Sequence, residues 1–143
     1  MPDAIVLTSR TLYFRPDLRV LVVRWHTKAP LEAVKAEYWQ MLEAAVAQGL
    51  NDWLLDIRRR DKVPAELSTW VNSTFYPEAV AQMAPRRLRM AVLNSPFMTQ
   101  LYTTDPVQQR EVAYALDRAR PFDIALFEDE GKAMEWLRPV QER

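Results

Sequence analysis

Arg58, Arg59, Arg60 and Lys62 form the grouping in this chain best suited to recognising a ligand. Guanidinium groups fork onto carboxylates and phosphates, so the chemistry they suggest is binding of an anion or an acidic partner. They follow Trp53-Leu54-Leu55-Asp56-Ile57, which reads as a short buried strand. Ligands of open α/β sheets gather beyond the carboxyl ends of such strands. The helix that Pro64 opens adds backbone N–H groups of the kind anions use. The competing reading is a solvated loop whose arginines pair with Asp56 and Asp61. Arg86, Arg87 and Arg89 make a second basic cluster. It enters its strand from the opposite end, so the two clusters are not expected to merge.

Catalytic chemistry has less to work with. The chain has no cysteine, which removes thiol nucleophiles, disulfides and cysteine metal sites together. His26 is the one histidine, and no nucleophile stands beside it. It reads as a strand-end residue packed on Trp25. Asp52 and Asp56 bracket a strand and sit about 13 Å apart if it is extended, too far to share a metal. Glu128-Asp129-Glu130 opens a helix, where acidic groups meet the positive end of the dipole. With two glycines, Gly49 and Gly131, no phosphate-cradling loop can form. The expectation is therefore a non-enzymatic protein with no cofactor and no metal.

Aromatic residues offer a different chemistry. Trp70, Phe75 and Tyr76 lie on or near the second helix and would form a pocket or an interface if they faced outward. Trp39 stands at the edge of an apolar stripe. Packing at the edge of the core is the competing reading for each.

The elements that must position these residues are legible from spacing and punctuation. Ala4 to Thr8, Thr11 to Phe14 and Leu18 to His26 read as strands, the last two joined as an antiparallel hairpin by Pro16-Asp17. Leu31, Val34, Tyr38, Met41, Leu42 and Ala45 recur at helical spacing from about Pro30 to Gln48, and Gly49 suits a left-handed cap. A second helix follows Pro64, with Leu67, Trp70 and Val71 inward and a kink or break expected near Tyr76 because of Pro77. A helical piece is expected to resume over Glu78 to Met83. Leu88 to Leu93 is a strand. Residues 97–104 fit no single template. Asp105 caps a helix with Val112, Ala115, Leu116 and Ala119 inward. Phe122 to Phe127 is the last strand, and Asp129 caps a last helix that packs Ala133, Met134, Trp136 and Leu137 inward. Early antiparallel strands followed by βα units predict an α/β fold, one mixed sheet with about four helices, as a single domain over residues 1–143.

Composition agrees with that class. Of 143 residues, 49% are hydrophobic and 27% charged, the balance of a globular domain. Nineteen basic residues cancel nineteen acidic ones, so no bulk field draws in nucleic acid or anionic lipid. No apolar run is long enough for a signal peptide or a membrane span, which predicts a cytoplasmic location.

The hairpin, the long helix, Trp53-Leu54-Leu55-Asp56 with its basic loop, Trp70, Pro77 and the ending Phe-Glu-Asp-Glu…Ala-Met-Glu-Trp-Leu together resemble the STAS-like proteins of bacteria. Those share the fold of the anti-sigma-factor antagonist SpoIIAA. The resemblance runs from about Tyr13 to Leu137 and rests on structural motifs. It implies a regulatory or protein-interaction module with a protein partner, a homodimer included, acting in signalling. The antagonists carry a phosphorylated serine after the strand corresponding to Trp53–Asp56. Here Asp56-Ile57-Arg58-Arg59-Arg60-Asp61 stands instead, so that switch is not carried over, and Ser68 is only a weak substitute. The alternative expectation is a domain binding an apolar or anionic small molecule.

Overall fold

The computed structural model describes residues 4–60 and 63–138. Six strands form one mixed sheet in the spatial order of the sequence: β1 Ala4–Val6, β2 Arg10–Arg15, β3 Val20–Trp25, β4 Asp52–Asp56, β5 Arg89–Leu93 and β6 Asp123–Phe127. β1, β2 and β3 are antiparallel neighbours, and β3 to β6 are parallel. Residues 16–19 turn the β2–β3 hairpin, with Arg19 at φ 56°.

Alternation in the strands divides the core. Leu21, Trp53, Met90 and Ile124 are register partners on one face, and Val23, Leu55, Val92 and Leu126 continue it. That face is covered by α1 Leu31–Gln48 and by the helical run that starts at Ala65. The opposite face presents Val20, Val22, Leu54, Ala91 and Leu93 to Ala133 and Leu137 of α6 Glu130–Leu137. Both faces of β3, β4 and β5 are thus buried, as their unbroken apolar runs require. Gly49 caps α1 at φ 66°, and its N–H reaches the carbonyls of Ala45 and Val46. A side chain there would be strained by the backbone alone.

The second helical region is irregular where a kink or break is expected, but the helical run does not break. α2 Ala65–Trp70, a π-helical turn Val71–Phe75 and α3 Tyr76–Met83 run on without a break. The Tyr76 N–H bonds the Val71 carbonyl five residues back, so the ladder is already widened where Pro77 brings no donor. The wider turn absorbs the proline in place of a break.

Residues 97–104 belong to a further helix, α4 Pro96–Thr104, capped by the Ser95 hydroxyl on the Met98 N–H. α5 Pro106–Leu116 starts on Asp105, which accepts from Val107 and Gln108. Its inner face is set by Gln108 and Ala115, while Leu116 is exposed and Ala119 lies beyond the helix. One residue is about 100° of helix, enough to carry Leu116 off the face that Ala115 occupies. Asp129 caps α6 on the Lys132 N–H. No helix among the described residues is long and apolar enough to cross a membrane.

Candidate functional site

The strand order never reverses, so the sheet offers no crevice of the topological-switch kind. The space for a ligand lies instead between the sheet and the helices on its α1 face, at the carboxyl ends of the parallel strands. An inner cavity of about 120 Å³ is bounded by Tyr38, Leu55, Val71, Tyr76, Tyr102 and Leu126 among others. A neighbouring cavity of about 260 Å³ lies where the β1–β2 turn, the end of β3 and the starts of α1 and α2 meet. Trp25, Arg60, Val63 and Leu67 line both.

The basic stretch after β4 is divided between the two faces. Asp56 points to the α6 face, in register with Arg24. Arg58 follows it and makes two side-chain bonds to it, Nε to Oδ1 at 3.0 Å and Nη2 to Oδ2 at 2.9 Å. Arg24 donates to Asp56 at 2.7 Å and to Glu130 at 2.7 Å. Burial pushes the Asp56 carboxyl up, but the bonds from Arg58 and Arg24 outweigh it and hold it below the usual range. Arg58 therefore belongs to a structural network that ties α6 to the sheet. Arg59 and Arg60 go the other way and line the outer cavity together with Lys28. The Arg60 guanidinium lies 4.9 Å from the centre of the Trp25 ring, and no described carboxylate pairs with it. Asp61 and Lys62 lie outside the described residues.

Beneath Trp25 is a buried charge cluster that spacing did not reveal. Arg10 is fully enclosed, its guanidinium 4.0 Å from the Trp25 ring centre and 4.3 Å from that of Tyr38. Glu37 Oε1 accepts from the Ser9 N–H and hydroxyl, both at 3.0 Å, and lies 3.7 Å from Arg10 Nε. Arg10 Nη1 and Glu37 Oε2 have no hydrogen-bond partner among the described residues. Burial pulls Arg10 down to about 10, with Tyr38 and Glu37 opposing and Arg60 assisting, so it stays charged at neutral pH. The sequence does hold signals for this cluster. Arg10 stands on the strand face of Leu12 and Phe14, and Glu37 interrupts the apolar stripe of α1.

The aromatic trio is not a surface patch. Phe75 is fully buried, with Tyr38, Trp53 and Trp70 rings at 4.8, 6.3 and 6.1 Å. That makes it core, because it packs at the end of the π turn against Tyr38 and Trp39 of α1 and Trp53 of β4. Trp70 is half-buried against Trp39 at 5.4 Å and borders neither cavity. Tyr76 does line the inner cavity, and its hydroxyl makes no hydrogen bond to a described residue. Burial pushes the Tyr76 and Tyr102 phenols up, so both are neutral hydroxyls at physiological pH. Tyr102 donates to Asn94 at 3.3 Å. Ser68 is half-buried on the inner cavity wall, within the helix. His26 is exposed at the end of β3.

The second basic cluster is bound up in the fold at the other end of the sheet. Arg86 donates to the Gly49 carbonyl at 2.6 Å, Arg87 pairs with Asp123 at 3.0 Å, and Arg89 donates to the Trp136 carbonyl at 2.6 Å. No group of acidic or histidine side chains suited to a metal ion exists among the described residues. The chain matches no family model, no curated protein and no solved structure.

Proposed function

We propose that this chain is a non-enzymatic module that binds a small organic anion at the paired cavities. One observation carries the reading. The outer cavity has an apolar wall of Leu31, Val34, Val63 and Leu67, with Arg59 and Arg60 beside it and no carboxylate among the described residues that line it. Cations set in low-dielectric walls attract anions far more strongly than the same charges in open water. Together the two cavities reach the lower end of the roughly 300–1,000 Å³ usual for small-molecule sites.

A regulatory role of the STAS-like kind is compatible with such a site, since ligand occupancy at the strand ends would alter the surface offered to a partner. A purely protein-binding reading has less support, because Trp70, Phe75 and Tyr76 do not form an outward face. Calorimetric titration with a panel of small carboxylates tests the proposal. At least one is expected to bind one-to-one, at least tenfold more weakly in Arg60→Met. If none binds at millimolar concentration, or if Arg60→Met binds as well as the parent, the proposal fails.

A further inference from the structure

The sheet ends on two strands that are guarded differently. β1 is three residues long, and so short an edge offers little to pair with. β6 runs Asp123–Phe127 in unbroken register with β5 and has no strand on its other side among the described residues. It carries no lysine, proline or bulge, the usual guards of an edge, and its one charge, Asp123, is held by Arg87 at 3.0 Å. A cleft of about 540 Å³ is lined by Leu116 of α5, by Ile124 and Ala125 of the edge and by Trp136 of α6. It therefore crosses the edge from one face of the sheet to the other, and Leu116 lies exposed beside it.

The Asp123 N–H bonds the Leu88 carbonyl, and the Phe127 carbonyl accepts from the Asn94 N–H. Alternate residues of a strand bond the same neighbour, so Asp123, Ala125 and Phe127 face β5. Ile124 and Leu126 aim their backbone N–H and C=O groups at the open side.

These groups suit a second copy of the same strand. Antiparallel pairing about a twofold axis at Ala125 sets Ile124 against Leu126 of the second copy, each such pair exchanging both N–H···O bonds. The two Ala125 residues then form the close non-hydrogen-bonded pair, about 4.5 Å between Cα atoms, where a small side chain fits. The charges also match. Arg118, in the turn before β6, and Glu128, just after it, are exposed and make no ion pair among the described residues. The same register brings the Arg118 turn of one copy to Glu128 of the other.

We propose that the chain forms a twofold homodimer through antiparallel pairing of β6 with β6 of a second copy, giving one continuous sheet. Such a dimer forms whether or not the cavities hold an anion.

The chain has no cysteine, so Ala125→Cys places a single thiol at the axis with little change in size. Oxidation of that protein with copper–phenanthroline is expected to give a disulfide-linked dimer on denaturing gels. Val6→Cys, exposed on the β1 edge, should remain unlinked. Sedimentation velocity of the parent at micromolar concentration should give twice the 16.7 kDa chain mass. Glu128→Arg and Arg118→Glu, both surface changes, should each weaken dimerisation by about tenfold, and the double variant should return to within about twofold of the parent. A monomeric parent overturns the proposal. So does a dimer that Ala125→Cys fails to link, one that Val6→Cys links as readily, or a charge reversal that the double variant does not rescue. A parent that dimerises only after removal of residues 139–143 would assign the edge to that segment and overturns it too.

Discussion

Two aspartates on one strand have opposite electrostatic fates. Asp56 is buried and held as a carboxylate by Arg24 and Arg58. Its folded pKa lies below the unfolded value, so its stabilisation is present above the ordinary carboxyl range and is lost as pH falls through the folded pKa. Among the described residues, Asp52 has one oxygen buried without a partner and a 3.5 Å contact to Arg89. Burial raises its pKa, with Arg89 and Arg19 opposing. Its sign is reversed: the charged form costs stability at neutral pH, and protonation recovers it as pH falls through the raised value. Asp56→Asn is therefore expected to lower stability at pH 7 by about 1–3 kcal/mol, with the deficit closing below about pH 4. Asp52→Asn should be neutral or stabilising by under about 1 kcal/mol at pH 7. Urea denaturation across pH reads both. An Asp56→Asn protein as stable as the parent at pH 7 would contradict this account of the network.

The π turn is the element on which the cavity depends. Leu67, Val71, Phe75, Ala79 and Met83 are buried, each four residues after the last. An ideal α-helix overshoots one full turn by about 40° every four residues, which accumulates to about 160° over that stretch. The wider π turn takes out part of the drift and keeps the five side chains on the sheet. It also brings Val71, Asn72 and Tyr76 to the inner cavity wall. That strict four-residue spacing is a signal readable in the sequence, and three-and-four spacing through Leu67, Trp70 and Val71 obscures it. Deleting exposed Thr74 would turn the run into continuous α-helix, with Phe75 three residues after Val71 and so about 60° short of a full turn; that offsets the overshoots and keeps Phe75, Ala79 and Met83 on the core line. A change of about 1 kcal/mol or less is therefore expected in urea denaturation. A loss of about 3 kcal/mol or more, comparable to truncating a core side chain, would show that the packing depends on the π turn itself.

At the scale of the molecule, α1 and the helical run from Ala65 cover one face and, among the described residues, α6 covers the other. The ion-pair network of Arg24, Asp56, Arg58 and Glu130 secures the α6 side. The cavities lie on the α1 side, between layers that unfolding separates. A ligand bound there binds only the folded chain, so it must raise stability by mass action. At 100 times its dissociation constant the gain is about 2.7 kcal/mol, or on the order of 5–10 °C in Tm for a domain of this length. A carboxylate that binds by calorimetry yet leaves Tm unchanged at saturation would place its binding site outside the folded core.

The sequence by itself determined the class and most of the elements. Proline and glycine punctuation, two-residue alternation and the α1 stripe are local signals, and they located the hairpin, the long helix, the Asp105 and Asp129 caps and the mixed sheet. It also brought forward the basic stretch in which Arg59 and Arg60 lie. The division of that stretch was beyond it. Arg58 turns to Asp56, two residues away, a pairing the sequence offered, whereas Arg60 lies over Trp25, a partner remote in sequence. Arg10 and Glu37 stand on apolar faces of their elements, but that they meet is decided by the tertiary structure, which encloses them together. Tyr38, Tyr76 and Tyr102 come from three helices and share a cavity only because those helices pack on one sheet face. Local pattern decides conformation through short-range sterics and solvation. The contents of a cavity are decided by which long-range contacts close around it.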